Sequence, residues 1–479
     1  MRLGIANFDT INPILSNNKN VQDVYKLIYE PLVDLTAQYE AKPCLAKEWA
    51  KQSDNSYLIK LRENVRWSNG EVFTAEDVKF TIDTLKGIQT IYSANVQDIT
   101  EVKTIDDYTI RIYLNKEIPF FEYNLIFPIL SKVYYEGEDF VSTEKNNAPI
   151  CTGEFKIKDT ESSYIILEKN NNWWNKEKKP IIQKITINLY SSIGELYNGF
   201  KMGAIDLVAT GNGNLQEYIG TIGYSSKEMK GRTHTFLALN NSNYFLGKQE
   251  VRKAISYSLD KNNLVATVFG DKGYTSSFPL DYGSWLCQEQ DASSGYNPEH
   301  AGEILIEAGW TLRSGVWQKI ENYKTQKLAL NLLVKANDQT KVLVAENIKN
   351  QLANQGIIIN IIQAQEQQYN EMINARNYDI ALCSMIMAPS PNMETYFGEG
   401  NLSNYINMEV NTILEETKNT TDRNIILEKY KRLIEIYKTD MPYISLYNNK
   451  YIVAYNSALV GEITPNWFYQ FYGIEGWYK

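Results

Sequence analysis

The residue types that carry most catalytic and metal chemistry are scarce in this chain. Only two histidines, His234 and His300, occur in 479 residues. Neither has an adjacent serine or cysteine, and His300 falls in a polar helical stretch that reads as surface. A histidine-based metal site is therefore poorly supported. The four cysteines, Cys44, Cys151, Cys287 and Cys383, form no C-x-x-C pair, which speaks against a zinc or redox motif. Ser314-Gly315 lies between two tryptophans but not in a G-x-S-x-G elbow, and neither a P-loop nor a dinucleotide fingerprint is present. The acidic pair Asp106-Asp107 sits at a turn between alternating segments, a structural setting. None of these residues forms a convincing catalytic set, and no cofactor is implied.

The elements around these residues are legible from their periodicity. Tyr57 to Arg62 alternates apolar and polar side chains as a half-buried strand does. Asn69-Gly70 supplies the positive-φ positions of a tight turn, and Thr74 precedes Asp77 at capping-box spacing. Val78, Ile82 and Leu85 then fall on one helical stripe. Val21, Val24 and Ile28 predict a helix over 21–32 ended by Pro31, and Val102 to Leu114 predicts a hairpin. Leu328 to Val334, a helix bearing Ala345, Ile348 and Leu352, Gly356, and Ile357 to Ile362 form a βαβ pattern. Tyr378 to Cys383 adds a further strand. Hydrophobic content of 43% and charged content of 22% suit a globular chain of two or three domains. A net charge of -9 argues against nucleic acid or an anionic membrane surface as partner. No apolar run approaches the ~20 residues of a membrane span. Met1 to Ile5 leads straight into strand-like sequence without a signal-peptide core, which by itself reads as cytoplasmic.

Three phrases carry more than periodicity: Pro43, Leu45, Ala46 and Trp49 followed by LRENVRWSNGEVFTAEDVKF; LN followed by VRKAISYSLD; and YNPEHAGEILIEAGW. Together they resemble the family 5 extracytoplasmic solute-binding proteins, and weaker matches run along nearly the whole chain. The resemblance implies an α/β fold of the periplasmic-binding-protein-like class II type. It has two lobes with a hinge and an extra β-rich domain inserted in the first lobe. The implied boundaries are 1–40, 149–235 and 456–479 for lobe I, 41–148 for the inserted domain, and 236–455 for lobe II. The implied function is a monomeric extracytoplasmic receptor that captures oligopeptides between its lobes and delivers them to ABC transporter permease subunits. On that reading an export signal and any lipid-bearing cysteine lie upstream of Met1. The alternatives are a receptor for a non-peptide solute such as a nickel chelate, and a binding protein that senses without transport. A peptidase would need a nucleophile–base pair that the chain does not display.

The resemblance also supplies the candidate ligand-binding residues. Glu30, Pro31 and Leu32 match a segment bordering the family's cleft, and Tyr92 is similar to an aromatic lining the pocket from the inserted domain. After the strand at 378–383, oligopeptide-binding relatives carry an aspartate that pairs with the ligand's amino terminus. Here Ser384, Met385, Ile386, Met387 and Ala388 occupy the region, with Ala388 nearest the acid's place. Either another carboxylate, Glu394 or Glu30, replaces it, or the ligand lacks a free amine, because an unpaired ammonium in a closed cleft costs several kcal/mol. Trp285 and Tyr405 are further candidates, each also suited to rim or core. Cys44 and Cys151 fall near the two crossings into the inserted domain, where a disulfide is a candidate.

Overall fold

The signature stretch folds as its alternation demands. In the strand Ser56–Leu61, Tyr57, Ile59 and Leu61 are buried while Lys60 faces solvent. The chain reverses at Gly70, whose φ of +97° is open to glycine at no steric cost. Glu71 O then accepts from Trp67 N at 2.8 Å, and an isolated bridge joins Arg66 to Val72. Asp77 starts the helix Ala75–Gly87 by accepting from Thr74 N at 2.8 Å. Val78, Ile82 and Leu85 are all buried on its inner face, each worth roughly 1.5–3 kcal/mol relative to exposure.

The computed structural model describes residues 1–211, 223–270, 272–280, 283–287 and 295–479, and the chain is mixed α/β. It divides into two units, Met1–Met229 with Tyr451–Lys479, and Lys230–Lys450. The strands Tyr224–Leu239 and Tyr443–Asn456 each pass through a unit boundary.

The first unit holds two four-stranded sheets. One runs Arg2–Ala6, Lys184–Tyr190, Tyr164–Lys169, Phe155–Thr160, with only the first pair parallel. The other is antiparallel in the order Ala46–Lys51, Ser56–Leu61, Thr109–Leu114, Ile99–Asp106. Its last hairpin turns after Asp106, as the sequence predicts. The predicted helix over 21–32 is shorter, Lys19–Tyr25. Beyond Tyr25 the turns tighten to i→i−3 bonds from Leu27 N to Val24 O and Ile28 N to Tyr25 O. Pro31 then holds Glu30 out of the helical region, so the chain leaves extended.

In the second unit, Ala329–Lys335, the helix Gln339–Asn354 and Ile358–Ala364 make the expected βαβ unit, its strands parallel with Leu332 opposite Ile361. Ala329–Lys335 also pairs in parallel with Ile380–Ile386, which runs antiparallel to the end of Tyr224–Leu239. A small sheet of Thr311–Arg313, Val316–Glu321 and Lys324–Lys327 has no counterpart in the sequence reading. The candidate disulfide is corrected: Cys44 and Cys151 are free, buried thiols, as are Cys287 and Cys383. The Cys151 Sγ lies 3.6 Å from Phe155 O, a weak hydrogen bond to the start of the strand Phe155–Thr160.

Candidate functional site

Pro31 and its neighbours place Glu30. Ile129 N donates to Glu30 O at 3.2 Å, Leu45 N to Pro31 O at 3.1 Å and Ala46 N to Leu32 O at 3.0 Å. The segment is thus stapled from both sides. Its three carbonyls are engaged and Pro31 has no N–H, which leaves the Glu30 side chain as its main functional group. That carboxylate lies between two adjacent indoles. Trp173 Nε1 donates to Oε1 at 2.9 Å, and Trp174 Nε1 is 3.0 Å from both oxygens. Burial raises the Glu30 pKa to about 7, against the hydrogen bonds from the indoles and Thr152 that favour the charged form.

A tight polar turn presents the indoles. Asn170 accepts from Asn172 N at 3.0 Å and donates through Nδ2 to Gly153 O at 2.8 Å. Asn170 N donates to Glu154 O at 2.9 Å, so this turn also fixes Glu154. Gly153 N in turn donates to Ile28 O at 2.9 Å. A Cβ on Gly153 would stand 2.6 Å from the Ile28 carbonyl carbon, which makes glycine a requirement of this approach. Glu154 is buried, accepts from the Tyr469 hydroxyl at 3.4 Å, and has its pKa pushed well up by burial and by the Glu475 and Glu30 carboxylates.

These groups line a pocket of about 650 Å³ formed within the first unit. That size lies in the roughly 300–1,000 Å³ range of small-molecule sites. Eight aromatic residues line it, among them Tyr25, Tyr92, Trp173, Trp174 and Tyr469. Most of its cations are engaged locally. Lys42 pairs with Asp34 at 2.9 Å and Lys178 with Glu475 at 2.7 Å. The Arg62 guanidinium lies 4.2 Å from the Trp174 ring centroid. Lys26 donates to Phe468 O, with its pKa lowered to about 8 by burial. Cys44 lines the pocket, but burial holds its thiol well above the usual range and so un-ionised at neutral pH. Among the described residues, no cluster of three His, Cys, Asp or Glu could hold a metal ion.

Of the sequence-derived candidates, the pocket brings together Glu30, Pro31 and Tyr92, whose hydroxyl donates to Gln22 Oε1 at 2.7 Å. Leu32 is fully enclosed in the core and is not in the pocket wall. The others belong to the second unit. Ser384 Oγ is 2.8 Å from Thr235 Oγ1, Met385 is half-buried, and Ile386 is 77% exposed. Met387 N donates to Arg232 O at 2.8 Å, and the Arg232 guanidinium donates to the carbonyls of Met387 and Ala388. An arginine therefore holds the backbone where the sequence comparison looks for an acid. Glu394 has its own counterion in Lys418 at 2.6 Å. Trp285 is buried, with the Arg423 guanidinium 5.4 Å from its ring centroid. Tyr405 is also buried, its hydroxyl bonded to Asp440. Trp173-Trp174, Glu154 and the C-terminal Tyr469 are not among the sequence-derived candidates. The available signals were the doubled tryptophan and the aromatic run Trp467 to Tyr472.

Comparison with known proteins accounts for this architecture. The profile of the bacterial extracellular solute-binding proteins, family 5, matches residues 40–404. The chain belongs to this family. The nickel-binding periplasmic protein of Escherichia coli K12 is 27% identical over 381 residues, covering 75% of this chain and 70% of that relative. The oligopeptide-binding protein AppA of Bacillus subtilis 168 is 23% identical over 499 residues, covering 98% and 89%. The crystal structure of a nickel ABC transporter protein from Bacillus halodurans superposes with a TM-score of 0.81 at 20% identity, covering 96% of each chain. The family 5 fold is a two-lobe α/β architecture, and its members are substrate-binding proteins of ABC importers that work outside the cytoplasm. These relatives are receptors rather than enzymes. Among the described residues of this family 5 protein, no helix is long and apolar enough to cross a membrane.

Proposed function

We propose that this family 5 protein captures oligopeptides and delivers them to the permease subunits of an ABC importer. The observation that carries the reading is the pocket of about 650 Å³ in the first unit, walled by aromatic rings with the Glu30 carboxylate between two indoles. Its volume suits a peptide-sized solute, and its rings offer apolar contact that tolerates varied side chains. Glu30, Pro31 and Tyr92 are its proposed contacts. The accompanying division of the chain is lobe I at 1–40, 149–235 and 456–479, an inserted domain at 41–148, and lobe II at 236–455. A nickel-chelate receptor is the second reading, favoured by the name of the relative at 27% identity.

Thermal melting against di- to hexapeptides, their N-acetylated forms and nickel–histidine tests the proposal. Free peptides should raise the melting temperature. A shift with nickel–histidine alone would replace the peptide reading with the chelate one. No shift with any peptide would overturn the peptide assignment.

A further inference from the structure

Glu30 and Glu154 are each 8% exposed and face the same pocket. Neither has a cation within ion-pairing distance among the described residues; Lys42 and Lys178, which share the pocket, pair instead with Asp34 at 2.9 Å and Glu475 at 2.7 Å. The bonds received by the two acids come from neutral donors: the indoles of Trp173 and Trp174, and the Tyr469 hydroxyl. Two carboxylates that feel one another in a desolvated site favour uptake of positive charge. The walls suit such a guest, since three of their rings already carry the protein's own cations. Arg62 lies over Trp174 at 4.2 Å, Lys42 over Tyr472 at 5.0 Å and Lys26 over Tyr469 at 5.7 Å. The Tyr25 hydroxyl, also from the pocket wall, is buried without a hydrogen-bond partner among the described residues. It is a third oxygen able to accept from an N–H donor.

From this geometry we propose that Glu30 and Glu154, framed by Trp173, Trp174 and Tyr469, form a subsite for an ammonium group of the ligand. The inference rests on the receptor reading and narrows it to solutes that carry a primary ammonium. A bound ammonium would favour the ionised form of both acids against the burial that favours their protonation, the carboxylates then supplying charge and the rings polarisable faces.

Calorimetric titration with phenethylammonium and its neutral isostere 2-phenylethanol tests the subsite on the intact chain. The ammonium should bind the wild-type protein, and the alcohol should bind at least tenfold more weakly. Glu154→Gln and Glu30→Gln, each checked for a native circular dichroism spectrum, should weaken phenethylammonium at least tenfold while leaving 2-phenylethanol unchanged. Equal binding of the two probes, no binding of phenethylammonium, or undiminished binding by both variants would overturn the proposal. If only Glu154→Gln folds, its result decides. The di- to hexapeptide panel separates the two levels of inference. Stabilisation by N-acetylated, lysine-free peptides as strong as by free ones sinks the ammonium subsite and leaves the peptide receptor standing. Silence from every peptide sinks the reading beneath it.

Discussion

Glu30 shows what a buried acid costs and what it provides. Two indole donors keep its oxygens hydrogen-bonded, but neither brings charge, and burial raises its pKa from 4.5 to about 7. The folded chain therefore holds a proton that the unfolded chain releases between those two values. The resulting stabilisation is complete below pH 4.5 and lost as pH rises through 7. Glu30→Gln removes this titration. The stability of the wild type minus that of the variant should fall by on the order of 3 kcal/mol between pH 4.5 and 8, read from urea denaturation at each pH. His234 acts with the opposite sign. Its pKa is lowered to about 3 by burial, so its contribution is present above pH 6.5 and lost as pH falls. Comparing wild type with the variant cancels that background. A difference that stays flat with pH would place Glu30 in an unperturbed setting.

At the scale of elements, the site depends on two segments meeting without side chains between them. Gly153 sits where the chain segment before Phe155–Thr160 passes Ile28, and its neighbours Thr152 and Glu154 both bear on the pocket chemistry. Gly153→Ala would drive a methyl group to 2.6 Å from the Ile28 carbonyl carbon and 2.7 Å from its oxygen. Neither backbone atom can move without disturbing Glu30, two residues on. The substitution should cost at least about 2 kcal/mol in chemical denaturation and should weaken solute binding in the protein that remains folded. Nothing in the local sequence around Gly153 announced that close approach. Likewise the helix stripe of Val21, Val24 and Ile28 was legible, while its early end was not. The break comes from the demand that Glu30 to Leu32 run extended between two partners remote in sequence.

For the whole molecule, the cysteines bear on how the chain is held together. All four are buried free thiols, so packing rather than covalent bridging secures both units. The melting temperature should be unchanged by reductant. Ellman's reagent should find almost no thiol in the native protein and four after denaturation without reductant. Two thiols instead of four would indicate a bridge. The sequence by itself determined the family, through phrases such as WSNGEVFTAEDVKF, and most of the helices and strands, because amphipathic period and turn residues act over a few positions. Tertiary structure alone decided the site. Glu30 meets Trp173 across 143 residues, and Glu154 meets Tyr469 across 315. Such meetings depend on how separate elements pack, which local spacing does not encode. The same packing assigned the named candidates their places, with Leu32 turned into the core, Glu394 paired with Lys418, and Glu30 facing the pocket without a counterion among the described residues.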